Sequence, residues 1–409
     1  MMRHRFVSWT FALSLLGAAV AAESPVVRPG SSLFVFAGDA AKVGNDFLAV
    51  IDVDPASPGY GRLISAVGTD LRSVQPHHTE YVMPESGKLF ANDHDAGRTF
   101  IFDVRDPAKP SIVTSFDDMA GFSHPHSFVR LPNGNVLATF QHRAHPAHGD
   151  GQAQGGGLVE IDDQGRAVRS AGNLDPSKPG ALMMPYGLVI LPEIDRVLST
   201  NSTMHDDDLL SGTTYQVWRL SDLTLLTTAF LDPGENRYAH ISPEEPRRGP
   251  DGAVYIQTLG CGIERVTGIE TPTPTAKLVY TFPGNWCGVP TIAGNYLVQS
   301  VPVLHGFVVL DLSRGEKPVE VSRLVPSATF EPHWSAWDPA TRRLVATPGG
   351  PGDNRLYLMK LDLATGALTL DESFRDAAGD GKVGFSFSDR PWPHGFQGAG
   401  NPHGAVFSR

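Results

Sequence analysis

Only two cysteines, Cys261 and Cys287, occur in 409 residues, so at most one disulfide is available. Basic runs are missing as well. The formal net charge of −11 becomes two units more negative without Arg3 and Arg5. That balance argues against nucleic acid and anionic membrane surfaces as partners, because both reward clustered Lys and Arg. After the N-terminal segment no stretch has the roughly 18 uninterrupted apolar residues that a membrane-crossing helix needs. No long helical periodicity appears either. What is abundant is Gly, 43 residues, and Pro, 33 residues, which favours one large all-β body over two or three domains.

The chain starts with Arg3 and Arg5, then an apolar run over residues 6–20, then Ala18, Ala19, Ala21 and Ala22. A basic n-region, a short apolar stretch and a small-residue end describe a secretory signal at residues 1–22. The mature protein, residues 23–409, is expected to be exported, either periplasmic or secreted. The competing reading is an uncleaved anchor.

Strand-like runs recur with a fixed order. GKLFAN at 87–92, RTFIFDV at 98–104 and SIVTSF at 111–116 are separated by turn residues, and residues 79–83 supply a further strand between His78 and Pro84. The same order restarts at His126, Tyr186, His240, Cys287 and His333, at intervals of roughly 46 to 60 residues, within the range of four-stranded propeller blades with long loops. His78, His126, Tyr186 and His333 each precede a proline (Pro84, Pro132, Pro192, Pro339) by six residues. The N-terminal unit has three strands (LFVFAG, FLAVIDV, RLISAVG), and the terminal HGAVFSR has the form of its missing first strand. Pairing the two would close the ring and remove an exposed edge. Counting first strands predicts a seven-bladed β-propeller.

Let strands A to D run outward from the axis of each blade. Every histidine except His4 then lies at a D-to-A junction or a B-to-C turn, which open on one face of the disc. His77, His78, His124, His126, His240, His333, His394 and His403 are in the first class; His94, His142, His145, His148, His205 and His305 are in the second. Loops of the opposite face, such as PESGK and PNGN, carry none.

The starts of strands A surround the axis, which predicts a ring of His78, His126, Tyr186, His240, Cys287, His333 and His403 at the entrance. Converging imidazoles can hold copper, iron or zinc, and ligand type alone does not choose among them. The bland alternative is that each histidine caps its own strand. His142, His145 and His148 fit a solvated loop better than a second metal site, and Asp206, Asp207 and Asp208 beside His205 fit a solvated turn. Cys261 and Cys287 lie on the histidine face of neighbouring blades and suit a disulfide in an oxidising compartment, although Cys287 at a ring position also suits a thiolate ligand.

Several segments resemble the selenium-binding protein and methanethiol oxidase family in order along the chain. HHTEYVMP resembles its paired-histidine segment, HPHSFVRLPNGNVLAT its HTSHCLASGEVM segment, GGGLVEIDDQG its GGFVLLD element, VLHGFVVLDLS its LHGDLRQYDIS element, and PWPHG its terminal AHE element. The resemblance implies a seven-bladed propeller, a copper-dependent periplasmic branch, and oxidation of methanethiol by O2 and water to formaldehyde, hydrogen sulfide and hydrogen peroxide. Carried over by position, it implies His77, His78, His126 and His394 as copper ligands. The sequence departs from the family in three places. No cysteine follows His78, the HTSH spacing becomes His124-Pro125-His126, and the terminal DCSSDIW-like strand reads NPHGAVF. Selenium binding through that cysteine is therefore unsupported.

The leading expectation is an exported copper oxidoreductase acting on a small thiol, or another reduced sulfur compound, with O2. His77, His78, His126, His333, His394 and His403 are its candidate ligands, His124, His240 and Cys287 possible additions, and Glu80, Tyr186 and Glu331 candidates for moving protons. A metal carrier without turnover is the alternative, and a propeller interaction platform with structural histidines is a third reading.

Overall fold

Each short strand pairs antiparallel with its sequence neighbour, so the chain builds one small sheet after another. The computed structural model describes residues 30–144, 155–204, 212–236, 238–350 and 352–409. The signal-like segment, His145, His148, His205 and Asp206 to Asp208 lie outside them. Seven sheets form a seven-bladed β-propeller, as the repeat predicts. Blade 2 comprises Pro76–Thr79, Lys88–Asp93, Arg98–Asp103 and Ser111–Phe116 in that order. The strands A of successive blades touch one another around a complete ring, which identifies them as the innermost.

Closure follows the predicted route. The C-terminal strand Gly400–Phe407 pairs with Ser32–Asp39 and becomes strand A of blade 1, with Leu33 opposite Phe407 and Asp39 opposite Gly400. Trp334 Nε1 of blade 7 donates to the Ala405 carbonyl at 2.8 Å, tying the last blade to the first. Between blades the sheets bury large apolar side chains face to face. Phe36 of blade 1, for example, meets Phe100 and Phe102 of blade 2 at 6.3 and 6.0 Å between ring centroids. Each such ring contributes roughly 1.5–3 kcal/mol of burial.

The inner strands share a device that the sequence spacing concealed. Strand A carries a proline in every blade, and in six of them, at Pro76, Pro125, Pro185, Pro243, Pro332 and Pro402, that proline borders a slip in the ladder. The pairing register slips between each of these six and the residue three further on, Thr79, Phe128, Leu188, Pro246, Ser335 or Ala405. A bulge leaves the intervening residues out of the ladder and re-aims their side chains, and proline, lacking an N–H, suits such a position. The residues so turned out are His77-His78, His126-Ser127, Tyr186-Gly187, Glu244-Glu245, His333-Trp334 and His403-Gly404. Neighbouring backbones close in where the second of the pair is glycine: a Cβ on Gly404 would stand 2.4 Å from Thr79 N, and one on Gly187 2.3 Å from the Glu244 carbonyl oxygen.

The ring phase therefore needs correction. His77, not His78, corresponds to His126, Tyr186, His333 and His403, because strand A of blade 2 is Pro76–Thr79 rather than 79–83. In blade 5 strand A is Pro243–Arg248, so Glu244 takes the place expected for His240. In blade 6 it is Pro290–Ala293, so Gly288 and Val289 precede it where Cys287 was expected. The histidines also lie within the inner strands instead of ahead of them, which sinks the cluster into the channel.

Candidate metal centre

Blades 1, 2, 3 and 7 deliver five imidazoles to one place. His77 and His78 stack nearly parallel at 4.0 Å between centroids, His77 lies 4.5 Å from His403, His78 lies 4.5 Å from His126, and His333 lies 4.7 Å from His403. The Nε2 atoms of His77 and His126 are 2.9 Å apart. Among the described residues, two groups each bring one ligand atom per residue to within 4.8 Å of one another: His77, His78 and His126, and His78, His333 and His403. His77 and His78 are 1% exposed and His126 fully buried, so stacking chemistry in open solvent does not account for the cluster.

Burial is the main force on these rings. It pushes the His77, His78, His126 and His403 imidazoles well below their ordinary pKa, reinforced by the charges of neighbouring histidines, and it pushes His333 down to about 4. The rings are accordingly neutral at pH 7, the state that ligates a metal. His126 Nδ1 lies 3.1 Å from the Tyr186 carbonyl oxygen, which only accepts, so Nδ1 carries the proton and Nε2 keeps its lone pair. His77 Nδ1, His78 Nε2, His333 Nδ1 and His403 Nδ1 are buried without a hydrogen-bond partner. Orphaned buried nitrogens are costly, and a cation would satisfy those that carry lone pairs. This nitrogen-rich, neutral donor set fits copper or zinc by its chemistry.

Carboxylates that sequence reasoning missed stand beside the imidazoles. Glu245 Oε1 lies 3.7 Å from His78 Nδ1 and accepts from Ser127 Oγ at 2.9 Å, while its Oε2 accepts from Arg247 at 2.9 Å. Glu244 accepts from Gln257 Nε2 at 3.0 Å and hydrogen-bonds Tyr186. Burial, with the charge of Glu245 adding to it, raises Glu244 to about 8. The signal was present in PEEPRR at 243–248, a strand with two adjacent acids after the bulge proline, but phasing blade 5 on His240 hid it. His94, read as a turn residue, is 2% exposed and its ring lies 5.6 Å from His77 and 5.4 Å from His126.

The remaining candidates separate. Tyr186 is at the site, its ring 3.6 Å from that of His126. Glu80 is not: Arg130 holds both its oxygens, at 2.7 and 3.1 Å, on the wall of a cavity beyond the other end of strand A. Glu331 packs against Gly350 in the loop before strand A of blade 7. His394 rests against Phe47 at 4.9 Å and over Gly68, on strands C and D of blade 1, away from the axial rings. It sits in the hairpin of Arg390–Pro391 with Gln397–Gly398, and neither group of converging ligand atoms includes it. His124 stands on the rim, with His94 at 6.0 Å and His142 at 4.9 Å. His240 lies in the turn before Pro243, half-buried. Cys287 is disulfide-bonded to Cys261, which removes it from the ligand set.

No family model matches the chain. A methanethiol oxidase from Hyphomicrobium sp is 35% identical over 128 residues, 30% of this chain and 27% of that protein, so the chain aligns with little more than a quarter of that relative's length. Among solved structures, a selenium-binding protein from Sulfolobus tokodaii superposes with a TM-score of 0.69 at 14% identity, covering 93% of this chain and 94% of that one. A periplasmic gluconolactonase from Pseudomonas aeruginosa gives a TM-score of 0.57 at 13% identity, over 83% of this chain and 94% of that one. The likeness to solved structures shows the fold. The sequence match supports the resemblance to the methanethiol oxidase and selenium-binding protein family.

Proposed function

Taking the chain as a relative of the methanethiol oxidase and selenium-binding protein family, we propose that it is an exported, copper-dependent oxidoreductase that oxidises a small thiol with O2 at the axial histidine cluster. The observation that carries the proposal is the convergence of His77, His78, His126, His333 and His403 in two groups with ligand atoms within 4.8 Å. With methanethiol the reaction balances as one thiol, one O2 and one water giving one formaldehyde, one hydrogen sulfide and one hydrogen peroxide, in which the carbon loses two electrons and O2 gains them. Bound copper would supply a Lewis acid that favours the thiolate and a centre that exchanges electrons.

The protein's own groups suit that chemistry. The imidazoles stay neutral and keep water away from the reacting sulfur. Glu244, protonated near neutrality and hydrogen-bonded to Tyr186, is placed to hold a proton beside His126. Of the three candidates for proton handling, the nearness of Tyr186 to His126 supports Tyr186, and we assign to Glu244 the part considered for Glu80 and Glu331.

The depth of the rings favours a second reading, a metal carrier without turnover, because ligands of which four are buried and one half-buried suit retention. Oxygen uptake by the copper-loaded protein with methanethiol distinguishes the two. Consumption of O2 with formaldehyde and sulfide appearing in equal amounts supports the oxidase; tight copper binding without O2 uptake supports the carrier.

A further inference from the structure

A buried ion pair at the axis invites a reason other than stability, since such pairs commonly contribute little net stabilisation. Glu245 and Arg247 are 3% and 7% exposed and form one beneath the histidines at 2.9 Å. Its free end leads to Ser127. The Ser127 hydroxyl donates its single hydrogen to Glu245 Oε1 at 2.9 Å. Only lone pairs are then left for its other neighbours, His126 Nδ1 at 3.0 Å and His78 Nδ1 at 3.4 Å. A group that can only accept requires a donor opposite it.

We propose that Glu245, held by Arg247 and acting through Ser127, is a positioning residue that sets the tautomer of both His78 and His126, placing a proton on each Nδ1 and a lone pair on each Nε2 toward the axial cluster. The inference rests on the reading of that cluster as a metal site and adds the residues that prepare it. Two further observations agree. His126 Nδ1 also faces the Tyr186 carbonyl, which demands the same tautomer. His78 Nε2, the nitrogen freed by this arrangement, is buried without a partner. The carboxylate is itself fixed in direction, because Oε2 belongs to Arg247 and Oε1 to Ser127.

The arrangement makes two substitutions behave differently. In Glu245→Gln the amide oxygen goes to the Arg247 guanidinium, which only donates, so the amide NH2 faces Ser127. The hydroxyl then accepts from Gln and donates toward the imidazoles, which works against a proton on His78 Nδ1. In Ser127→Ala the constraint on His78 is lost without any reversal, while the Tyr186 carbonyl still holds the proton on His126 Nδ1. Ser127→Ala keeps the ion pair and adds no charge, so it separates loss of the hub from loss of the fold.

The test uses the full chain, stripped with a chelator and labelled with 15N at the imidazoles. Long-range proton–nitrogen spectra of the metal-free protein should show His78 and His126 with Nδ1 protonated in the parent, and His78 moved to Nε2–H in Glu245→Gln. Titration with Co(II) should show affinity reduced by roughly 10- to 100-fold in Glu245→Gln, less in Ser127→Ala, with an altered ligand-field spectrum and unchanged circular dichroism. Parent-like tautomers and Co(II) affinity in both variants would overturn the proposal. A parent that binds neither Co(II) nor Cu(II) would refute the metal site, whereas the spectra of the metal-free protein judge the tautomer claim independently.

Discussion

His77 of blade 2 and His126 of blade 3 bring their Nε2 atoms to 2.9 Å although 49 residues separate them in the chain. Bulges at Pro76 and Pro125 make the approach possible by turning both rings out of their ladders. Two protonated imidazoles would repel strongly at that range, whereas a shared cation would draw them together.

The first prediction is a stability loss in mild acid. His333 titrates at about 4 in the folded protein against an ordinary histidine value of 6.5, because burial disfavours its charge. Its folded value is depressed, so stability is fully present above about pH 6.5 and falls as the unfolded chain takes up the proton down to pH 4, by up to ~1.4 kcal/mol per pH unit for one group. The other axial rings shift in the same direction. Urea unfolding of metal-free protein from pH 7 to 4.5 should show this fall, and His333→Gln should make it shallower. Equal slopes in the two proteins would refute the burial account.

Deleting residues 402–409 should destabilise the molecule sharply. It strips the partner from Ser32–Asp39, removes the acceptor of the Trp334 indole and takes His403 from the site. Calorimetry should give a thermal midpoint lower by on the order of 10 °C or more, or aggregation through the bared edge. A midpoint within a degree or two of the parent would contradict closure.

How much was legible follows from what each signal encodes. Strand alternation and turn residues set seven blades and their closure, since those depend on local patterns repeated along the chain. The face bearing the histidines was legible from loop alternation. The bulge was not, because Pro-His-His and Pro-His-Ser read as strand starts until the cross-strand partner is known, and this shifted the ring by one residue at His78. Blade 5 was misphased on His240, where Glu244 takes the expected place, and blade 6 on Cys287, which lies ahead of the strand that starts at Pro290. Ser127 and Arg247 had no signal of their own, and the adjacent acids of PEEPRR did not reveal what Glu245 touches: their meaning lies in contacts between blades 2, 3 and 5.

His394 separates position from geometry. A place in the chain like that of a family ligand sets it in the copper set, while its ring packs on Phe47 and Phe396. His394→Ala should retain parental metal content and lose at most a few kcal/mol of stability through the packing on blade 1. Loss of metal in a folded variant would restore it to the site.

The disulfide should matter to stability and not to ligation. Cys261 and Cys287 close a loop of 26 residues, worth about 3 kcal/mol by chain entropy. The variant with both changed to serine should unfold at lower denaturant concentration and still bind metal as the parent does. Two alkylatable thiols in the native, unreduced protein, or loss of metal in a folded double variant, would return Cys287 to the ligand set.

The central claim is that the axial imidazoles hold a metal, and the most direct measurement is the metal content of protein purified under native conditions, parent beside His78→Ala and His126→Ala, with circular dichroism as the control for folding. The account predicts near-stoichiometric metal, copper foremost, in the parent and its loss from both folded variants. Full metal in both variants, or a parent that binds no metal even when copper is supplied, would contradict it.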